Sequence, residues 1–107
     1  MSDQVGRSLA ALIAGTFINF TGAVRVEPLA STDWASVTFS GARHRLRVVL
    51  DGPGAVGAAA DFLKEMPELD LPIPRHIVAD LVLVGEERRE GGAYACLDLE
   101  ALTIEEC

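Results

Sequence analysis

With 107 residues, the chain has the length of one domain and can bury roughly two-thirds of its unfolded surface. Half the residues are apolar and 23% are charged, which excludes a disordered, highly charged chain, and two cysteines exclude a disulfide-dense secreted scaffold. Sixteen acids against nine bases leave a net charge of −7, the wrong sign for a nucleic-acid backbone as partner.

The charge is unevenly divided. Residues 1–50 hold five bases (Arg7, Arg25, Arg43, Arg45, Arg47) and three acids (Asp3, Glu27, Asp33). Residues 51–107 hold four bases and thirteen acids. Halves of opposite sign can pair within the chain or with a second copy of it. The most apolar run, Leu9 to Phe20, is shorter than the ~20 residues a membrane span needs and is interrupted by Thr16 and Asn19. It has no basic segment ahead of it, because Asp3 precedes the lone Arg7, so no signal peptide is predicted. The expectation is a cytoplasmic protein with reduced thiols and no membrane partner.

In chain order, Ser2 is the expected N-cap of a first helix. Its apolar face repeats at three- and four-residue steps through Val5, Leu9, Leu12, Ile13, Thr16, Phe17 and Phe20, and Gly22 closes it. Val24 and Val26 alternate with Arg25 and Glu27 in a short strand ended by Pro28. A hairpin with Gly41 to His44 at its turn would place Phe39 opposite Leu46, Val37 opposite Val48 and Ala35 opposite Leu50. Its other face would pair Ser40 with Arg45 and Thr38 with Arg47. Asp51-Gly52-Pro53-Gly54 opens a second helix with Pro53 in its first turn, burying Val56, Ala59, Phe62, Leu63 and Met66 and ending at Pro67. Pro72-Ile73-Pro74 is an extended connector.

The last third reads as a long hairpin turning through Glu90, Gly91 and Gly92. Leu83 falls by Leu99, Leu81 by Ala101 and Ala79 by Thr103. On the other face Val78 falls by Ile104, Val82 by Glu100 and Val84 by Asp98. The prediction is therefore one α+β domain over residues 1–107, with two layers. A five-stranded antiparallel sheet carries both helices on one face, in the order α-β-β-β-α-β-β.

Few residues carry chemistry. Cys96 could act as a nucleophile with His44 or His76 as base, but a mid-strand cysteine behaves as a small buried hydrophobe and no basic neighbour lowers its pKa. Cys107 is expected to be a loose, quickly labelled thiol. No C-x-x-C or H-x-x-x-H spacing occurs, and no metal or other cofactor is expected. The DGPG turn lacks the lysine and hydroxyl of a phosphate loop, and Pro53 removes one donor. Asp98 and Glu100 share a face, the minimum for acid–base work, without a visible apolar pocket. Arg43, Arg45 and Arg47 stand at every second residue, with Trp34 near the far end. They form a candidate platform for an acidic peptide or small anion. Alternatively, Arg45 and Arg47 neutralise Asp98 and Glu100 across the sheet or across a dimer.

Two functional classes follow. In the first, the protein is a non-enzymatic binding or scaffold module. The face left open by two helices carries Trp34, Val78, Val82, Val84, Leu102 and Ile104, an apolar patch that monomers rarely tolerate. A two-fold homodimer through that face would cover it. The predicted element order and the acidic pI of 4.6 are similar to those of small acidic secretion chaperones, a likeness of topology that implies partner binding. In the second class, Arg45, Arg47, His44, Asp98 and Glu100 converge in a sheet-face cleft that binds a small ligand or catalyses a reaction.

Overall fold

A computed structural model describes residues 2–106. The elements are α1 (Ser2–Gly15), β1 (Ala23–Ala35), β2 (Ser40–Asp51), α2 (Ala55–Glu65), β3 (His76–Arg88) and β4 (Tyr94–Glu105). One antiparallel sheet holds four strands, not the five expected, in the order β1-β2-β4-β3. The chain order is α-β-β-α-β-β, which lacks the third strand of the predicted order and so withdraws the topological likeness to secretion chaperones. The side chain of Ser2, expected as a cap, and Cys107 lie outside the described residues.

Both helices cover the same side of the sheet. α1 contributes Val5, Leu9 and Ile13, and α2 contributes Ala55, Ala59 and Phe62. They pack on Leu46, Val48 and Leu50 of β2 and on Ala95, Leu97, Leu99 and Ala101 of β4. The two halves of this layer meet where Phe17 stacks on Phe62, with ring centroids 5.1 Å apart. α1 ends earlier than its apolar period, because the Thr16 hydroxyl donates to Ile13 O at 2.7 Å and the Thr16 amide shares that carbonyl. A tight final turn follows, and Phe17 reaches the core from outside the helix. α2 starts at Ala55 rather than at Pro53. Gly52 and Gly54 both take positive φ in the preceding turn, where a side chain would be strained.

The missing strand is explained by the position of the first hairpin turn. β1 continues past Pro28 to Ala35, and the chain reverses at Ser36–Phe39. The Ser36 amide donates to Phe39 O at 2.7 Å. Val24 therefore pairs with Leu50, Val26 with Val48 and Ser31 with His44. This ladder is about twice as long as the predicted one. Pro28 is tolerated because β1 is an edge strand and a bulge follows it. Val37 and Phe39, which the expected hairpin places opposite Val48 and Leu46, lie instead at the tip with relative exposures of 106% and 56%. Gly41, expected in the turn, is a mid-sheet residue.

The β3–β4 hairpin keeps the predicted register at its centre, with Leu81 by Ala101, Val82 by Glu100 and Leu83 by Leu99. Bulges between Val78 and Asp80 and between Leu83 and Gly85 shift the two ends. Val78 consequently faces Thr103 and packs against the core instead of standing by Ile104 on the open side. Ile77 takes that place, and Gly85 rather than Val84 stands opposite Asp98. Leu83, although it stands beside the buried Leu99, is 36% exposed because α2 lies over β2 and β4 and does not reach this edge.

Candidate interaction surface

On the uncovered face, antiparallel pairing aligns side chains in rows across the four strands. Trp34, Gly41, Ile104 and Ile77 form one row. Arg43, Leu102 and Asp80 lie in the next, and Arg45, Glu100 and Val82 in the one after. Arg47 and Asp98 follow. The result is an apolar end made of Trp34, Ile77, Leu102, Ile104 and Val82, beside a charged middle. Ile77 is 49% exposed and Val82 is 37% exposed. Gly41 contributes no side chain to its row, and the Trp34 indole fills that place, with Cζ2 3.0 Å from where a Gly41 Cβ would stand. The indole Nε1 is buried without a hydrogen-bond partner among the described residues.

In the charged middle, the Arg47 Nε donates to Asp98 Oδ1 at 2.8 Å and the Arg45 Nε to Glu100 Oε2 at 3.1 Å. Arg43 reaches Glu100 Oε1 at 3.6 Å. The arginine row and the paired carboxylates thus form one ladder within the chain. The hydrogen bond and charge of Asp98 raise the Arg47 pKa above its ordinary value. Pairs this exposed contribute only about 0–1 kcal/mol each, so the ladder can exchange partners at little cost.

Val49 and Cys96 lie under the same face and are buried. A shallow pocket of about 370 Å³ above them is bordered by Arg25, Arg47, Tyr94 and Asp98. Cys96 is unbridged. Burial first, and Asp98 second, push its thiol pKa up against the opposing pull of Arg47, which keeps it protonated rather than nucleophilic.

The predicted convergence of His44 with the arginines and carboxylates does not occur. His44 projects to the helix side and is fully buried. Its Nδ1 lies 2.7 Å from Ser31 Oγ and its Nε2 3.0 Å from Thr103 Oγ1. The Thr103 hydroxyl donates to Ala42 O and therefore accepts from Nε2–H, leaving Nδ1 as the acceptor toward Ser31. Burial, and then the charge of His76, lower the His44 pKa below 6.5, with Asp33 acting against them. α1 seals this network: a Cβ on Gly6 would stand 3.2 Å from Ser31 Oγ. Cys96 also lacks a histidine partner, since His44 is on the other side and His76 pairs with Glu105 at the far end of β4.

A cleft of about 1090 Å³, unanticipated from the sequence, opens at the hairpin end on the helix side. It lies between the start of α1 and the connector Ile73–His76, with Asp33, Arg75, Glu105 and Glu106 at its border. Only the proline pair of the connector hinted at it. Among the described residues, no three His, Cys, Asp or Glu side chains assemble as a metal-ligand set, and no helix is long and apolar enough to cross a membrane. The chain matches no family model, no curated protein and no solved structure.

Proposed function

We propose that the protein is a non-enzymatic binding or scaffold module, acting in the cytoplasm as a homodimer through its uncovered sheet face. The carrying observation is the apolar end of that face: Trp34, Ile104 and Ile77 in one row, with Leu102 and Val82 beside it. The molecule measures 49 × 21 × 21 Å, so one broad face offers on the order of 1,000 Å², against about 800 Å² per partner in a standard interface.

The charge pattern selects the symmetry. In the order β1-β2-β4-β3, the arginines of β2 and the carboxylates of β4 flank the midline of the sheet. A two-fold axis along that midline, between two facing sheets, lays each β2 over the other copy's β4. Arginines then meet carboxylates, and the weak pairs within each chain become a shared network. An axis running across the strands would stack arginine on arginine. Under the favoured operation the apolar rows stay level, and Trp34 meets Ile77 of the second copy.

Sedimentation velocity at micromolar concentration tests the proposal, with Val82→Glu placing a charge in the contact. The wild type is expected to be a dimer and the variant a folded monomer by circular dichroism. A monomeric wild type, or a variant that dimerises equally well, overturns it.

A further inference from the structure

The helix layer is shorter than the sheet it covers. The fourteen residues of α1 span about 21 Å, whereas strands of twelve or thirteen residues span about 40 Å. Beyond the first turn of α1, the helix side of the sheet is roofed only by the connector after α2, and the 1090 Å³ cleft opens there. Val5, Ala42, Ile73 and Thr103 line it and are buried, so its floor is apolar apart from one satisfied hydroxyl. Its border is acidic, with Asp33, Glu105 and Glu106 against Arg75.

Among the described residues, none of these four takes part in an ion pair. Glu105 is held in place by the Ser40 hydroxyl, which donates to it at 2.6 Å. The connector wall is fixed as well. Arg75 adopts φ +68°, a conformation costly for a non-glycine residue. The Glu106 amide donates to its carbonyl at 2.8 Å, and His76 Nδ1 donates to Pro74 O at 2.9 Å. A preformed trough with an apolar floor and border carboxylates that lack ion-pair partners among the described residues suits a chain that is both apolar and cationic.

We infer that this cleft binds a basic, apolar peptide segment of a partner protein. A lysine or arginine side chain sits between Asp33 and Glu106, and neighbouring aliphatic side chains rest on Val5, Ala42 and Ile73. The apolar floor and the acidic border are on the helix side of the sheet, opposite the proposed dimer face, and Trp34 stands at the boundary of the two.

Isothermal titration calorimetry reads occupancy, because Trp34, the only tryptophan, lines the cleft but also belongs to the open-face row and would respond to dimerisation. The probes are an acetylated, amidated pentapeptide alternating leucine with arginine and its leucine–glutamate counterpart. The arginine peptide is expected to give a saturable binding isotherm, and the glutamate peptide to give none up to millimolar concentration. Removing two border charges in Asp33→Asn/Glu106→Gln should weaken the arginine peptide by roughly fivefold or more, as expected for two exposed ionic contacts. Arg75→Gln should tighten it, and Val82→Glu should leave it unchanged whatever that variant does to dimerisation. Equal response to both peptides, no response to either, or full affinity in the double variant overturns the inference.

Discussion

Gly41→Ala separates the two possible places for the first hairpin turn. In a turn, an added methyl group would change stability little. In the mid-sheet position, a Cβ on Gly41 would lie 1.9 Å from Thr103 O and 2.9 Å from its carbonyl carbon. Both are backbone atoms of β4, so no side-chain rotation relieves the clash. β2 and β4 must separate by more than 1 Å, and the pairing of Gly41 with Ile104 is lost with them. Overpacking of this kind costs about 1–3 kcal/mol and a lost ladder hydrogen bond about 1 kcal/mol. The expected total is about 2–4 kcal/mol, a large share of the roughly 5–15 kcal/mol that holds a domain folded. Gly57→Ala is the matched control. Gly57 is an exposed position within α2 whose Cβ would meet nothing within 4 Å, and alanine there should stabilise by about 0.5–1 kcal/mol. Urea unfolding followed by circular dichroism measures both. A Gly41→Ala variant within about 0.5 kcal/mol of the wild type would refute the register.

Stability should depend on the protonation of His44. Its folded pKa is lowered, chiefly by burial, so above about pH 6.5 both folded and unfolded chains are neutral there and the full stability is present. As pH falls from about 6.5 to the folded value, the unfolded chain takes up a proton that the folded one refuses. Stability then drops, with a limiting slope of about 1.4 kcal/mol per pH unit; equal urea midpoints at pH 7.5 and 5.5 would contradict this. Thr103→Val keeps the shape but leaves Nε2–H of His44 buried without an acceptor, at a cost of about 1–3 kcal/mol, and an unchanged melting curve would exclude the network. Cys96, buried with its thiol pKa raised, should be alkylated far more slowly in the native protein than in urea. Peptide mass spectrometry reads that rate, and equal labelling in both states would show the site to be open.

What could be read from the residues was the part governed by short range and strong period. The faces of both helices follow the three- and four-residue apolar steps, and three glycine-rich turn residues set the centre of the β3–β4 register. Alternation put Arg45, Arg47, Asp98 and Glu100 each on one face of its strand and made their pairing one of two readings; the adjacency of β2 and β4 that decides it is a long-range fact. The position of the first turn depended on a longer-range quantity. A six-residue ladder turning at Gly41 satisfied local alternation, but the alternative pairs twice as many residues and gives His44 its partners Ser31 and Thr103. Gly41 resembled a turn glycine because the requirement it meets, close approach of Thr103, comes from a strand sixty residues away. The bulges that move Val78 into the core, and the end cleft left by a helix layer shorter than its sheet, arise only when whole elements are packed together.

Both sheet edges carry features that resist strand addition, and this bears on how two copies could meet. β1 has Pro28, which offers no amide, followed directly by a bulge. β3 has two bulges, and the Asp80 carboxylate accepts the Leu81 amide at 3.0 Å, so that donor is not offered to an incoming strand. Such interruptions and edge charges are how sheet proteins avoid pairing edge to edge. β3 nevertheless exposes Ile77, Val82, Leu83 and Val84, an apolar sequence that would otherwise be an aggregation hazard. With ladder growth discouraged, the proposed dimer would cover Ile77 and Val82 through the open face, whereas Leu83 stands on the helix side beside Leu99. The open side already places Ile77 and Val82 beside Ile104, Leu102 and Trp34, next to a ladder of ion pairs weak enough to re-pair. The proposed dimer is consistent with this edge protection: a two-fold, face-to-face contact closes at two copies, where an open edge would not.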